Sequence, residues 1–414
     1  MTKMDPQGRA ESLSFRQLKL FESVGRLNSV RKASEECNLS QPAVTQSLAK
    51  LEQQIGVTLL DRRASGSYLN ELGEIFHRRA ARLFAQIESA LVDLGVPGGP
   101  AAATVIARRI SKSQARSLIA IVETGSFAQA AESLGLSQAS LQRAARDLEV
   151  NLRKPLYYRT AAGVMVTPAG VEFGRKIRLA TQEIEWGIRE IEAAQGSFHS
   201  QIAIGAMPFG GSVLLASVLD DFVSAHPRAD VKIVNESAPE MLKSLRAGAV
   251  DFVIGLVQET TADDLTNEAL AKTPYTVVCR RGHPLLRKGK IGIEDLLDYD
   301  WAVGTPGSSR RACFERLFAG TPNGPKTSIA TCSLPVIRHL LARSDRLTLM
   351  TTYELMHEDD TLAAIPLGQI EPAPSIGVTM RAGWLPTRLH LDFIELLRKH
   401  MTETTVRPLI RKAG

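Results

Sequence analysis

The 414-residue sequence lacks the features of a membrane or secreted protein. No apolar run reaches the roughly 18 residues that a membrane span requires. The stretch 1–14 is polar and has no apolar segment of a secretory signal. There is no CxxC pair, and scattered cysteines are typical of reduced thiols, although a redox pair between Cys313 and Cys332 stays open. We therefore expect a cytoplasmic protein that has no membrane partner.

Motifs for catalysis and metal binding are also missing. None of the eight histidines has the spacing of an HExxH zinc site, and the sequence contains no GxSxG motif or Walker loop. We therefore expect no metal, no cofactor and no enzyme activity. The net charge of +6 favours a polyanionic partner such as nucleic acid, because basic side chains neutralise phosphates.

The most informative feature that is present is a gap-free repeat, in which Ser40 recurs 97 residues later as Ser137. The positions shared by the two copies include Ser14/Ser111, Gln17/Gln114, Ala33/Ala130, Leu51/Leu148, Glu52/Glu149, Gly73/Gly170 and Phe76/Phe173. Two copies of one module, each about 60 residues long, are the simplest explanation, since the period is too long and the copies too few for a solenoid.

Each copy has the pattern of three helices followed by a two-stranded wing. Ser40 is a good N-cap, Pro42 fits the first turn of a helix, and Gly56 fits its end. The predicted helices span 14–24, 30–37 and 41–55 in the first copy and 113–123, 127–134 and 138–152 in the second, with wings at 62–67 and 159–166.

A helix–turn–helix pair of this kind fits the major groove of double-stranded DNA, with the leading residues of its second helix facing base edges. The residues predicted to face bases are Gln41, Pro42, Thr45 and Gln46 in the first copy and Gln138, Ala139, Gln142 and Arg143 in the second. The residues predicted to hold phosphates are Ser29, Lys32, Arg62 and Arg63, and Ser126 and Arg159. Glutamine pairs with adenine and arginine with guanine. From spacing alone, a helix pair used only for packing stays open.

A long helix with an apolar stripe is predicted after each copy, at 76–95 and 173–196. These stripes are too long to be buried by a small winged domain, so we expect them to pair between chains. Packing within one chain is the alternative. The segment 96–109 begins with prolines and glycines and is predicted to be a flexible linker.

From Gln201 onward, strands alternate with helices, which predicts a parallel sheet covered by helices. We expect two lobes with a cleft between them, one lobe spanning 200–258 and 366–400 and the other 259–365. The whole chain is thus predicted to be an α+β multidomain protein, with winged helix-turn-helix domains at 12–75 and 110–172 and an effector-binding α/β domain at 200–400.

Two loops are predicted to line that cleft and to bind a small molecule. Their residues are Met207 and Pro208 after the first strand, and Thr305, Gly307, Ser308, Ser309 and Arg310 at a helix start. Hydroxyls, backbone N–H groups and an arginine suit an anionic effector, a carboxylate or phosphate. An ordinary capped turn is the alternative.

Several stretches of the sequence are similar to those of the LysR-type transcriptional regulators. They are Leu39-Ser40-Gln41-Pro42, Gly125-Ser126-Phe127, Leu136-Ser137-Gln138, Leu245-Arg246-Ala247-Gly248 and His283-Pro284-Leu285. The resemblance covers about residues 12 to 400. It implies a dimer or tetramer joined by linker helices, a two-lobed sensor like a periplasmic binding protein, and control of transcription by a small effector.

The chain departs from that family by carrying two winged modules instead of one. The first copy has Gln46 where an arginine is common, and the second has Ala139 where proline is usual. The sequence therefore leaves open whether both copies bind DNA. The main hypothesis is a sequence-specific, effector-controlled DNA-binding regulator. The alternative is a small-molecule-binding protein whose helix-turn-helix units serve only dimerisation.

Overall fold

The computed structural model describes residues 5–63, 66–161, 163–196, 201–207, 212–257, 262–356, 361–368 and 370–406. The chain divides into two compact units, Met1–Ser200 and Gln201–Gly414. Among the described residues, no helix combines the length and the apolar composition that a membrane crossing needs.

The first winged module begins with a short helix and ends with a long one. Its elements are α1 (Pro6–Ser12), α2 (Phe15–Leu27), α3 (Val30–Glu36), α4 (Gln41–Ile55), β1 (Leu60–Arg63), β2 (Gly66–Leu69) and α5 (Glu71–Leu94). Ser14 and Gln17 form a capping box at the start of α2, and Ser40 caps α4. Helix α4 ends at Gly56, whose φ of 88° suits glycine.

The second module repeats these elements in the same order, and all of them except the short first helix lie at the same repeat positions. It consists of α6 (Gly99–Ala107), α7 (Lys112–Thr124), α8 (Phe127–Leu134), α9 (Gln138–Leu152), β3 (Tyr157–Thr160), β4 (Gly163–Val166) and α10 (Pro168–Ala194). Ser111 and Gln114 form the same capping box as in the first copy. The sequence repeat is therefore also a repeat of structure.

A glycine is required where each wing passes into its long helix. A Cβ atom on Gly73 would lie 2.0 Å from the Leu59 carbonyl oxygen, and one on Gly170 would lie 2.8 Å from the Leu156 carbonyl oxygen. Both distances are shorter than a van der Waals contact, and the two glycines share one repeat position. The close approach holds each wing against the start of its long helix.

The segment 96–109 is a helical connector and not the flexible linker that its first residues suggest. Gly98 and Gly99 have positive φ and turn the chain, and Pro100 lies in the first turn of α6. Beyond them, Ala103 and Ala107 are buried against the core of the unit. The burial of these alanines thus makes the segment helical, although it begins with prolines and glycines.

The long helices α5 and α10 pack along each other within one chain. Their apolar stripes join the first module in a continuous core that includes Phe76, Leu83, Ile87, Leu91, Phe173, Ile177, Ile184 and Ile188. The expectation that these stripes pair between chains is therefore wrong. Each stripe is buried by the equivalent stripe of the other module.

The second unit contains a first lobe built on a five-stranded sheet of order β6-β5-β7-β14-β8. Its elements are β5 (Gln201–Ala206), α11 (Ser212–Ala225), β6 (Asp230–Asn235), α12 (Ala238–Arg246), β7 (Phe252–Val257), β8 (Leu265–Lys272), β14 (Ser375–Arg381) and α16 (Arg388–Val406). Strand β5 runs parallel to β6 and β7, while β14 is antiparallel to β7 and β8. Phe222, Phe252 and Phe393 form the centre of its core.

The second lobe has a smaller antiparallel sheet, of order β12-β9-β13, and a parallel pair of strands, β10 and β11. Its elements are β9 (Tyr275–Arg280), short 3-10 turns at Pro284–Arg287 and Glu294–Leu296, β10 (Ala302–Val303), α13 (Ser309–Leu317), β11 (Ile329–Ala330), α14 (Leu334–Ala342), β12 (Thr348–Thr351), α15 (Thr352–Met356) and β13 (Leu362–Ala364). Trp301, Phe314 and Phe318 stack in its core.

The chain crosses between the two lobes at positions that differ from those predicted. Strand β8 pairs with β14 in the sheet of the first lobe, although the sequence placed it in the second. Ile370 still bridges Tyr275 of the second lobe, so the return crossing follows Ile370 rather than residue 366. Strand β8 is only partly buried and contains the polar run Thr266-Asn267-Glu268, so its sequence does not suggest a strand of this sheet.

Candidate functional site

The leading residues of α4 lie on the surface of the first module. Gln41, Pro42 and Gln46 are exposed and Thr45 is half-buried. The opposite face of the helix is buried through Val44, Leu48, Leu51 and Ile55. Because the apolar stripe fixes the rotation of the helix, the four predicted base-facing residues share the outer face or its edge.

A depression of about 280 Å³ lies between α3, α4 and the wing of the first module, and it collects cationic and hydroxyl groups. Its lining includes Ser29, Thr45, Arg62 and Arg63 of the predicted residues, and also Arg31, which sequence reasoning missed. Lys32 is exposed but does not line the depression. Ser29 caps α3 by accepting a hydrogen bond from the Lys32 amide. Such a group of cations beside a recognition helix suits DNA phosphates.

The second module presents an equivalent face, on which cations lie on the recognition helix itself. Gln138, Ala139 and Arg143 are exposed on α9, and Gln142 is half-buried. Arg159 is exposed on the wing strand β3, and Ser126 caps α8. Sequence reasoning missed Arg146, which is also exposed and lies three residues beyond Arg143 on the same helix. This spacing extends the basic face of α9 by one turn.

In each module, a half-buried glutamate of the recognition helix accepts hydrogen bonds from the start of the wing. Glu52 of α4 accepts hydrogen bonds from the Leu59 and Leu60 amides, at 2.8 and 3.2 Å. Its repeat equivalent Glu149 accepts them from the Leu156 and Tyr157 amides, at 2.7 and 3.1 Å. The repeat match of these two glutamates was the signal for this role. Helices α4 and α9 are thus each hydrogen-bonded to the start of their own wing.

The second unit encloses a cleft of about 780 Å³ between its two lobes. Met207, Leu256 and Val257 line it from the first lobe, and the loop from Thr305 to Ser309 lines it from the second. Of the predicted effector residues, Met207, Thr305, Gly307, Ser308 and Ser309 line the cleft. Pro208 lies outside the described residues.

The loop of the second lobe is held in place by hydrogen bonds among its hydroxyls. Ser308 caps α13 by accepting from the Arg311 amide at 3.2 Å, and Ser309 Oγ lies 2.9 Å from the Tyr275 hydroxyl. Thr305 Oγ1 lies 3.3 Å from Cys332 Sγ. Burial disfavours the Cys332 thiolate, but hydrogen bonds with Thr305 and Ser308 and the charge of Arg310 bring the pKa of this thiol below its ordinary value.

Arg310 does not line the cleft, which corrects its predicted role. Its guanidinium is buried in the second lobe and pairs with buried Glu354 at 2.7 Å. Arg310 shares the buried face of α13 with Cys313 and Phe314. Arg311 and Arg316 lie on the other face of the helix and line the cleft. Sequence reasoning missed these two cations because they lie inside the helix and outside the loop motif.

Glu315 also lines the cleft and pairs with Arg311 at 2.7 Å, so it neutralises part of the positive charge. Among the described residues, there is no group of three or more His, Cys, Asp or Glu side chains arranged to hold a metal ion. Among the described residues that line the cleft, the polar side chains are hydroxyls, the Cys332 thiol, the cations Arg311 and Arg316, and the carboxylate of Glu315.

One unit carries winged helix-turn-helix modules whose leading residues are exposed. The other carries a cleft between two lobes. Together these features define a ligand-responsive DNA-binding protein. The chain belongs to the LysR family of bacterial transcription regulators. The family's substrate binding domain matches residues 195–402, and its regulatory helix-turn-helix protein model matches twice, at 15–74 and 113–171. The chain is therefore a DNA-binding transcription regulator with an effector-binding domain, and the predicted function and fold class are confirmed.

Two relatives with curated names are also transcription regulators. The transcriptional regulator GalR of Pseudomonas putida is 31% identical over 94% of this chain and 97% of its own length, a coverage that includes both modules. The SDS degradation transcriptional activation protein of a Pseudomonas species is 28% identical over 65% of this chain and 90% of its own. A solved structure, a full-length OxyR variant from Pseudomonas aeruginosa, covers 70% of this chain and 93% of its own with a TM-score of 0.49 at 20% identity.

Proposed function

We propose that both winged modules bind double-stranded DNA and that the protein acts in the cytoplasm, where it has access to genomic DNA. The observation that carries this proposal is the exposure of Gln41 and Gln138 at the start of α4 and α9, opposite the buried stripes of those helices. A module used only for packing would bury this face in at least one copy.

The proposed roles follow from the chemistry of each side chain. Gln41, Gln46, Gln138 and Gln142 present amides that pair with adenine, and Arg143 presents a guanidinium that pairs with guanine. Thr45, Pro42 and Ala139 supply apolar contact to thymine methyl groups. Ser29, Lys32, Arg62 and Arg63 in one module, and Ser126 and Arg159 in the other, hold phosphates.

Removal of a wing arginine tests the phosphate contacts of each module separately. In the Arg62→Ala and Arg159→Ala variants, affinity should fall alike for all DNA sequences, and the slope of log K against log salt should decrease by about 1. The measurement is a fluorescence-anisotropy titration of the full chain at several salt concentrations. Arg388→Ala is the matched control, since this arginine is 85% exposed in the second unit. An unchanged slope in either wing variant would remove that module from the proposal.

For the cleft, we propose a small anionic effector such as a carboxylate. Arg311 and Arg316 supply positive charge, and Thr305 and Ser309 supply hydroxyl donors on the same wall. Met207 and Leu256 provide apolar contact on the facing wall. The carboxylate of Glu315 limits the net charge of the site, which favours a singly charged anion over phosphate.

Replacement of Arg316 tests this effector class. Binding of small carboxylates, found by a thermal-shift panel and measured by calorimetry, should weaken about 10-fold to 100-fold in Arg316→Ala because a charge-assisted hydrogen bond is lost. Arg343→Ala serves as the control, because Arg343 is exposed in the same lobe and does not line the cleft. If neutral molecules of the same size bind as well as carboxylates, the effector is not an anion.

A further inference from the structure

The contacts between the two long helices are reciprocal. Arg79 of α5 pairs with Glu190 of α10 at 2.7 Å, and Asp93 of α5 pairs with Lys176 of α10 at 2.6 Å. Arg79 and Lys176 occupy the same position of the 97-residue repeat, and so do Asp93 and Glu190. Exchanging the two modules therefore converts the first ion pair into the second. This reciprocity is the signature of an isologous, two-fold contact.

One further contact locates the axis of this symmetry. Gln86 Nε2 donates a hydrogen bond to Glu183 Oε1 at 2.6 Å, and these two residues occupy one repeat position. A residue that contacts its own equivalent lies next to a two-fold axis. The partners of Arg79, Gln86 and Asp93 follow one another in reverse order along α10, so the two helices are antiparallel.

The short helices that precede the modules obey the same exchange. Helix α1, before the first module, packs on α10 of the second, where Arg9 pairs with Glu192. Helix α6, before the second module, packs on α5 of the first, where Thr104 donates a hydrogen bond to Glu88. The short helix before each module thus packs on the long helix of the other module. Together with the ion pairs, this makes the N-terminal unit a covalently linked pseudo-dimer.

We infer that one chain binds an inverted pair of DNA half-sites through an internal pseudo-two-fold axis, and that the two half-sites differ in sequence. This inference rests on the proposed function of both modules. A two-fold arrangement of recognition helices matches the two-fold symmetry of the duplex, so its operator is an inverted repeat. In a homodimer the two recognition helices are identical and the half-sites are alike.

Here the two recognition helices are alike at one position and different at others. Gln41 and Gln138 are equivalent and identical, so the corresponding base pair should be the same in both half-sites. Gln46 and Arg143 are also equivalent, but glutamine favours adenine and arginine favours guanine. The operator is therefore asymmetric, and the chain binds it in one orientation. Gln46 and Arg143 contribute to this polarity together with the equivalent but different pair Thr45 and Gln142.

The test is a selection of random DNA duplexes by the full chain, in its natural form and as Gln46→Arg and Arg143→Gln variants. The natural chain should enrich an inverted repeat with unequal half-sites. Each variant should change one half-site only, and should make the two half-sites alike at the base pair that positions 46 and 143 contact. Exchanging the base in the affected half-site should change affinity about 10-fold or more. Both positions are exposed, so the variants should keep their folding, which calorimetry checks.

The outcomes separate this inference from the function on which it rests. No enrichment of any sequence would defeat DNA binding by the modules. A perfect palindrome or a direct repeat for the natural chain, or both half-sites changing in one variant, would defeat the internal axis alone.

Cross-linking tests the intramolecular pairing independently of DNA. A short bismaleimide should join the cysteines of an Asp93→Cys, Lys176→Cys double variant within one chain, so the product should run as a monomer on a denaturing gel. The natural chain, with its half-buried Cys37 and Cys332, is the background control. A covalent dimer as the main product would show that the helices pair between chains and would overturn the inference.

Discussion

Replacing Arg79 by alanine should lower the free energy of unfolding of the N-terminal unit by about 3 kcal/mol. The guanidinium is fully buried, and it pairs with Glu183 at 2.8 Å and with Glu190 at 2.7 Å. It also lies 5.5 Å from the centre of the Trp186 ring. Burial opposes its charge, but Glu190 and Glu183 outweigh burial and raise the pKa of the guanidinium. Its removal leaves the buried Glu183 carboxylate without its closest buried cation.

The expected loss lies at the lower end for a broken buried pair because Glu183 keeps two other partners. Arg82 remains at 2.9 Å and Gln86 at 2.6 Å. Calorimetry of the full chain should show the melting temperature of the N-terminal unit fall by about 6–12 °C, while the second unit is unaffected. Arg82→Ala is the matched control on the same carboxylate, and it should cost at most about 1 kcal/mol because Arg82 is partly exposed.

A second variant shows whether the charge or the packing matters. In an Arg79→Met, Glu183→Gln double variant, no buried charge is left unpaired at Glu183, so much of the lost stability should return. If Arg79→Ala melts like the natural chain, or if the double variant is less stable than Arg79→Ala, the account of this ion pair is wrong.

The repeat was the part of the fold that the sequence predicted best. Helix α4 spans the predicted range 41–55 because three local signals agree, namely the Ser40 cap, Pro42 in the first turn and Gly56 at the end. The capping box of Ser14 and Gln17 recurs in the second copy for the same reason. Local chemistry of this kind acts within a few residues, so it is visible in the sequence.

The errors lie where distant parts of the chain decide the structure. Helix α6 is stabilised by the burial of Ala103 and Ala107. The prolines and glycines at the start of this segment instead suggest a flexible linker. The long stripes were correctly predicted as helical, but an apolar face does not say whether its partner belongs to the same chain. Strand β8 joins the first lobe through pairing with β14, more than 100 residues away. Such pairings leave little trace in local patterns.

The candidate sites show the same division. The polar residues at the start of α4 and α9 follow from helical periodicity, so their exposure was predictable. The phosphate-side Arg31 and the cleft residues Arg311 and Arg316 were missed because only the packing of the elements brings them to those surfaces. Arg310 was assigned to the cleft on its position beside Ser309, although its rotation on α13 directs it to the interior.

Arg310→Ala should therefore act on stability and not directly on effector binding. Arg310 is 6% exposed and its guanidinium pairs with Glu354, whose other carboxylate oxygen accepts a hydrogen bond from the Thr351 amide at 2.8 Å. Loss of the cation leaves Glu354 charged and buried beside β12, at an expected cost of about 3 kcal/mol in the second unit. Calorimetry should show only the transition of that unit shifting to lower temperature.

Comparison with Arg316→Ala separates the structural arginine from the one that faces the cleft. Arg316→Ala should change stability by no more than about 0.5 kcal/mol, as is usual for a surface substitution, while it weakens carboxylate binding. Glu354→Gln should cost about as much as Arg310→Ala, because the amide still accepts from Thr351 but leaves the buried Arg310 cation without its counter-charge. A stable Arg310→Ala protein that has lost only its carboxylate affinity would instead return Arg310 to the cleft.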